Sequence, residues 1–187
     1  MKVTERLLIR PLEFHDHENW RQAYTMMRPA LSEWDESPWK ESQLTKLKFR
    51  ELVTAQRKLR KQDRFYAYGV FLKDDGVLIG FVDIMDVSRG RFQNAFLGYR
   101  IFNPYWGNGF ASEAARAAVE IAFRDLKLHR IEAGIEPHNK TSIKVAKSIG
   151  LRKEGLSPKR LWSKGRWIDL LIYAATTEDF GIKYKIK

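Results

Sequence analysis

The sequence predicts an α/β (α+β) domain in which helices cover one mixed sheet. Two observations lead there. The apolar spacing changes along the chain, from a helical period before residue 60 to strand-like runs over residues 65–102, and after that it alternates between the two. The segments also follow the order β-α-α-β-β-β-α-β-α-β-β, with no repeat, low-complexity run or Pro/Gly-rich linker. Residues 1–187 therefore read as a single domain, a normal size for one hydrophobic core.

Leu7–Leu12 is the first strand, with Pro11 confined to a strand end or an edge. From Asp16, a candidate N-cap, Trp20, Ala23, Tyr24 and Met27 recur at helical spacing. Residues 31–39 (LSEWDESPW) form a loop, and Leu44, Leu47, Leu52, Ala55 and Leu59 mark a second, basic amphipathic helix. Phe65–Leu72 and Val77–Met85 are strands joined by the turn Lys73-Asp-Asp-Gly76. Ala95–Phe102 is a further strand. Ala111–Leu126 is a helix whose small face (Ala114, Ala115, Ala118, Ala122) suits close packing on a sheet. Arg130–Glu136 is a strand ended by Pro137, and Thr141–Ile149 is a helix closed by Gly150. Leu151–Gly155 and Trp167–Ala175 complete the set as strands.

Composition narrows the chemistry. The absence of cysteine excludes disulfides, thiolate metal sites and a Cys nucleophile. The four histidines (15, 17, 129 and 138) show no zinc spacing, and no metal is expected. No apolar run reaches the roughly 18–20 residues of a membrane span, and the N-terminus lacks the apolar core of a signal peptide. A cytoplasmic protein with no membrane partner is expected. The net charge is +11. Residues 40–64 carry +6 and residues 152–187 carry +5, while the remainder is neutral. Charge gathered this way suits polyanions: nucleic acid, a ribosome or a phosphorylated cofactor. Solvated surface is the alternative.

The most informative stretch is Asn103-Pro-Tyr-Trp-Gly-Asn-Gly-Phe-Ala-Ser-Glu-Ala114, between a strand and a helix. Gly107 and Gly109 allow tight turning and close approach of a ligand, and the helix start offers unpaired N–H groups to an anion. The stretch lacks the Gly-Lys-Ser/Thr ending of a P-loop and the third glycine of a dinucleotide fingerprint. Alone, it is equally a turn before a helix.

TERLLIRP (4–11), VSRGRFQNAFLGY (87–99), the 103–114 loop, HRIEAGIEPHNK (129–140), RKEG (152–155) and GRWIDLLIYAATTEDF (165–180) occur in one order. Together they resemble the GNAT family of acetyl-CoA-dependent N-acetyltransferases, and within it the RimJ type, the ribosomal-protein-alanine N-acetyltransferases. Residues 106–111 match the family's [Arg/Gln]-x-x-Gly-x-[Gly/Ala] motif, with Trp106 departing at its first position. The resemblance implies the GNAT fold: a single, mostly antiparallel mixed sheet, helices on both faces and a splayed pair of strands. It implies acetyl-CoA held by the strand end Ile101, Phe102 and Asn103, by the loop Trp106, Gly107, Asn108, Gly109, Phe110, Ala111 and Ser112, and by Asn139 and Ser142. Ser142 would protonate the departing thiolate. Helix capping is the plain structural alternative for Asn139 and Ser142. The position where many members carry a tyrosine acid is Ala146 here.

A general base is not marked by any motif. Glu36, Asp83 and Asp169 are the candidates, and Asp35 and Glu36 are alternatives for holding a substrate ammonium. His138 reads as a loop histidine, and Trp34, Trp39, Trp162 and Trp167 mostly as core or acceptor-groove packing. Three functions fit. The first is acetyl transfer to the N-terminal α-amine of a protein, a ribosomal protein beginning with Ala or Ser. The second is acetylation of a small amine, a polyamine or aminoglycoside. The third is a ribosome-assembly or RNA-binding factor with secondary acetyltransferase activity, contacting ribosome or ribosomal RNA through segments 40–64 and 152–187.

Overall fold

The computed structural model describes residues 1–184. One eight-stranded sheet takes in β1 (Lys2–Val3), β2 (Leu7–Arg10), β3 (Phe65–Leu72), β4 (Leu78–Ser88), β5 (Asn94–Ile101), β6 (Arg130–Ile135), β7 (Arg152–Ser163) and β8 (Arg166–Thr176). Their spatial order is β1-β2-β3-β4-β5-β6-β8-β7. Every neighbouring pair is antiparallel except β5 and β6. The α+β class and the mixed, mostly antiparallel sheet are as predicted.

Helices α1 (His17–Thr25) and α2 (Lys46–Lys61) cover one face. Trp20, Tyr24, Phe49 and Val53 pack there on Phe71, Phe81 and Phe102. Helices α3 (Phe110–Glu120) and α4 (Lys140–Ser148) cover the other face. There Ala114, Ala115, Ala117 and Ala118 of α3, buried to 3% exposure or less, let the helix lie close over Val70, Val82 and Leu97. The α3 helix runs on into a wide π turn at Ile121–Asp125, which buries Ile121, Ala122 and Phe123.

The splay is explicit in the pairing. β5 meets β6 only at Asn94↔Arg130, Ala95↔Ile131 and Phe96↔Glu132. Beyond Phe96, β5 stays paired to β4 as far as Ile101, while β6 stays paired to β8 as far as Ile135. A gap opens between the two halves of the sheet. Gly80 keeps β5 seated on β4 there, since a Cβ at that position would lie 2.2 Å from the Arg100 carbonyl oxygen.

Three local expectations need correcting. Asp16 occupies the N-cap position of α1 but makes no cap bond. Its carboxylate instead takes both arms of Arg10 (2.6 and 2.7 Å) and the Glu13 N–H (2.7 Å). β7 extends eight residues past Gly155. It is an edge strand exposed on both faces, so no alternation marks it, and its edge position tolerates Pro158. β1 is too short to show a period.

Candidate active site

The loop after β5 is shaped by its glycines. Gly107 and Gly109 have φ of +83° and +77°, a region that favours glycine. A Cβ at Gly107 would meet nothing within 4 Å, so both the conformation and the open space suit an approaching ligand. Gly109 is the N-cap of α3, and no side chain caps this helix. Among the described residues, none accepts a hydrogen bond from the N–H groups of Gly107 to Ser112. A run of free donors at a helix start fits a pyrophosphate. Asn108 Nδ2 braces the loop from within, donating to the carbonyls of Tyr105 and Trp106 (3.1 Å each). Phe110 and Ala111 face the core, and Ser112 Oγ lies 2.8 Å from Ser148 Oγ.

Trp106 ties this loop to the splayed strand, its indole N–H donating to the Ile101 carbonyl at 2.5 Å. The strand end itself differs from expectation. Phe102 N–H bonds to Ile79 O at 2.8 Å. An antiparallel ladder alternates, so Phe102, Arg100 and Gly98 address β4, and the backbones of Leu97, Tyr99 and Ile101 face the gap. Phe102 is thus turned away from a ligand in the gap. Asn103 is buried, and its amide holds the α1–α2 loop by accepting from Arg28 N–H (2.8 Å) and donating to Arg28 O (2.7 Å). The Ile101 backbone faces the gap with those of Leu97 and Tyr99, whereas Phe102 and Asn103 are directed elsewhere.

On the α3–α4 face, Asn139 caps α4, its Oδ1 accepting from Ser142 N–H at 3.0 Å. The amide Nδ2 remains for a ligand. Ser142 Oγ lies 3.0 Å from the Tyr99 hydroxyl, which also reaches the Ser142 carbonyl at 2.9 Å. Burial pushes the Tyr99 phenol up, so it stays protonated. Ala146 is buried in the core, so a hydroxyl from β5 stands near Ser142 where α4 supplies none. Only the vacant Ala146 position hinted at Tyr99.

The opposite face carries Asp83 on β4, directly across from Gly98. The Met85 side chain fills the space over Gly98, where a Cβ would lie 3.1 Å from Met85 Cε and 3.6 Å from Asp83 Cβ. The carboxylate has no hydrogen bond or ion pair among the described residues, yet its oxygens keep a path to solvent. Burial raises its pKa to about 6 against the opposing pull of Arg100. The other candidate bases are engaged. Glu36 accepts from Arg100 Nη1 (2.5 Å) and from the Trp39 indole (3.1 Å), so the catalytic role expected of it gives way to pinning the α1–α2 loop to β5. Arg100 also donates to the Tyr24 hydroxyl at 3.1 Å. Asp35 caps its own turn through the N–H groups of Leu31 and Ser32 and the Ser32 hydroxyl. Asp169 accepts from Lys159 N–H at a bulge of β7.

His138 is exposed beside Asn139. Trp39 packs on Trp20 and Tyr24, whereas Trp162 and Trp167 pair with each other, exposed, near the tip of the β7–β8 hairpin. That tip meets the α1–α2 loop, where Lys164 and Arg166 approach the Glu33 carboxylate (3.7 and 3.8 Å).

The sheet, the gap and the donor loop define a class, and the comparisons agree. The family model of the acetyltransferase (GNAT) domain matches residues 6–152, and the chain belongs to that family of acetyltransferase enzymes, which use acetyl-CoA. It is 33% identical over 180 residues to the ribosomal protein uS5-alanine N-acetyltransferase of Escherichia coli (strain K12), covering 95% of this chain and 91% of that protein. It is 38% identical over 130 residues to the probable N-acetyltransferase YjcK of Bacillus subtilis (strain 168), covering 70% of this chain and 72% of the relative. Among solved structures, Mycobacterium smegmatis RimJ in complex with CoA-disulfide has a TM-score of 0.77 at 25% identity, covering 92% of this chain and 83% of that one. No helix among the described residues is long and apolar enough to cross a membrane.

The glycine geometry sets a first prediction. Gly109→Val forces a branched side chain onto a left-handed backbone, with its Cβ 3.7 Å from Arg6 Nη2, and so shifts the donor loop. CoA affinity, measured by calorimetry, is expected to fall at least tenfold, about 1.4 kcal/mol, with an unchanged circular dichroism spectrum. Unaltered affinity removes the loop from the site.

Proposed function

We propose that this protein transfers the acetyl group of acetyl-CoA to the N-terminal α-amine of a protein, a ribosomal protein beginning with Ala or Ser. The carrying observation is the division of labour across the gap. Tyr99 and Ser142 stand on one face, and a single free carboxylate, Asp83, stands on the other. Acetyl-CoA supplies an activated thioester. The N–H groups of Gly107–Ser112 hold its pyrophosphate, Asn139 and the free backbone of β5 hold the arm, and a β5 N–H polarises the carbonyl. Asp83 takes a proton from the amine as its nitrogen bonds to the thioester carbonyl carbon, and the C–S bond breaks with Ser142 Oγ–H donating to the departing sulfur. Tyr99, which stays protonated, positions Ser142, and solvent returns the proton to Ser142.

The electrostatics favour an α-amine. A carboxylate near pKa 6 lies only about 2 units below an N-terminal amine but about 4 below a lysine side chain. The α1–α2 loop offers a polycation no free carboxylate among Glu33, Asp35 and Glu36, because all three are already engaged. The identity with the uS5-alanine enzyme supports a ribosomal acceptor. The test is turnover of acetyl-CoA against N-terminal peptides, spermidine and an aminoglycoside, followed by mass spectrometry. Acetylation of Ala- and Ser-initiated peptides at the α-nitrogen is expected. Transfer to the polyamines in preference to the peptides overturns the reading.

Contact with ribosomal RNA belongs to the same proposal, through the basic segments 40–64 and 152–187; residues 185–187 of the second lie outside the described residues. On α2, Arg57 and Arg50 stack over the exposed Phe14 ring at 4.3 and 5.4 Å. Among the described residues, Glu51, with Lys48, is the one carboxylate paired to a cation of this helix. Arg60 does not join the exposed cations of α2, because it turns inward to the Ala67 carbonyl (2.7 Å) and over Tyr68. Changing Arg50, Arg57, Lys58 and Lys61 together to Gln is expected to weaken co-sedimentation with ribosomal subunits about tenfold and to flatten its salt dependence. Turnover of a short peptide should stay within twofold. Equal sedimentation at every salt concentration returns these residues to ordinary solvated surface.

A further inference from the structure

The lead-in to β2 carries a guanidinium that neither the motif nor the proposed chemistry uses. Arg6 Nη1 donates to the Asn108 carbonyl at 3.0 Å, inside the Gly107–Ser112 loop. Its Nε and Nη2 meet Glu113 Oε2 at 2.8 and 2.7 Å, and its Cζ lies 4.6 Å from the Phe110 ring centroid. Glu113, on the first turn of α3, is held in turn by the Arg6 N–H (3.0 Å) and the Thr4 hydroxyl (2.6 Å). One residue from the start of the chain thus grips a carbonyl, a carboxylate and an aromatic ring of the donor loop.

The consequence follows from peptide geometry. The Asn108–Gly109 peptide is planar and trans, so its carbonyl and the Gly109 N–H point in opposite directions. Holding the carbonyl on Arg6 turns the Gly109 N–H away from Arg6. A glycine at φ +77° opposes rotation of that peptide only weakly, because both signs of φ are open to it. A rotated peptide would aim an oxygen, not a donor, at an incoming phosphate. Arg6 also neutralises Glu113, whose charge would otherwise stand uncompensated beside an anion site.

We infer that Arg6 is a positioning residue that locks the Asn108–Gly109 peptide in its anion-accepting orientation. This rests on the reading of Gly107–Ser112 as the pyrophosphate loop. Its signature is selectivity for the part of the donor that carries phosphate. In Arg6→Gln, KM for acetyl-CoA is expected to rise about tenfold with kcat within twofold. With S-acetylpantetheine, which has no pyrophosphate, the variant-to-wild-type ratio of kcat/KM should stay near one. Arg6→Lys keeps a charge for Glu113 but lacks the fork that reaches Asn108 as well, so it should move in the same direction by a smaller factor. It also serves if the Gln variant folds poorly. No change in KM for acetyl-CoA, or an equal loss with both donors, overturns the lock.

Selective 15N-glycine labelling separates this inference from the reading beneath it, since the chain has twelve glycines. In the wild type, the Gly109 amide signal is expected to move on addition of CoA but not of pantetheine. In Arg6→Gln at saturating CoA, that movement should shrink. A Gly109 signal indifferent to CoA in the wild type sinks the pyrophosphate loop itself. A signal that moves equally in both proteins sinks only the lock.

Discussion

Asp83→Asn is expected to lower kcat/KM for an N-terminal peptide by about two to three orders of magnitude, within the usual range of one acid–base group. In the wild type, log kcat/KM should show an inflection near pH 6, where Asp83 loses its proton. The variant should lose that inflection. A stability measurement is coupled to it. Burial lifts the folded-state pKa of Asp83 from 3.8 to about 6, so between those values the folded protein binds more protons than the unfolded chain. Stability therefore falls as pH rises through this window, and the ionised form remains a cost above it. Asparagine removes that cost, so at pH 8 the variant should be more stable by about 1–3 kcal/mol in urea unfolding and no more stable at pH 4. A residue that weakens the fold where it is charged and sustains turnover there is one retained for chemistry. An Asn variant of full activity, with the inflection intact, removes Asp83 from the mechanism.

Ser142→Ala and Tyr99→Phe should each reduce turnover about 100-fold while CoA affinity changes less than threefold. The two hydroxyls lie 3.0 Å apart and act on one proton, so the double variant should be little worse than the poorer single one. The leaving group supplies a sharper check. If Ser142 protonates the departing thiolate, its loss should matter less with an acetyl thioester of a more acidic thiol, which departs without help. A penalty identical for both thioesters would instead mark Ser142 as part of the cap of α4, where its N–H already serves Asn139. Strictly multiplicative losses would separate Tyr99 from Ser142.

Much of the fold was legible without coordinates because its signals are short-range. Gly76 and Gly150 stand at positive φ where the turn and the helix end were expected, and the period of the apolar residues located α1 and α2, while the alanine face located α3. The turn at Trp106–Ala111 was visible because left-handed backbone, found at Gly107 and Gly109, is open to glycine without steric cost. Asn139 and Ser142, three residues apart, share one helix start and were equally visible.

What sequence could not reveal depends on register and on contacts between distant residues. Which side of β5 faces the gap follows from Phe102 pairing with Ile79, and that alternation takes Phe102 out of the site and brings Tyr99 in. Glu36 looked like a free carboxylate until the fold brought it to Arg100, 64 residues away. Tyr99 meets Ser142 across 43 residues, and Arg6 meets Glu113 across 107. A local motif states which backbone a ligand needs. The charge and hydrogen-bonding state of each side chain near it depends on what the packed sheet and helices place around it: burial without a partner raises the pKa of Asp83, whereas the Arg100 guanidinium makes Glu36 a strut.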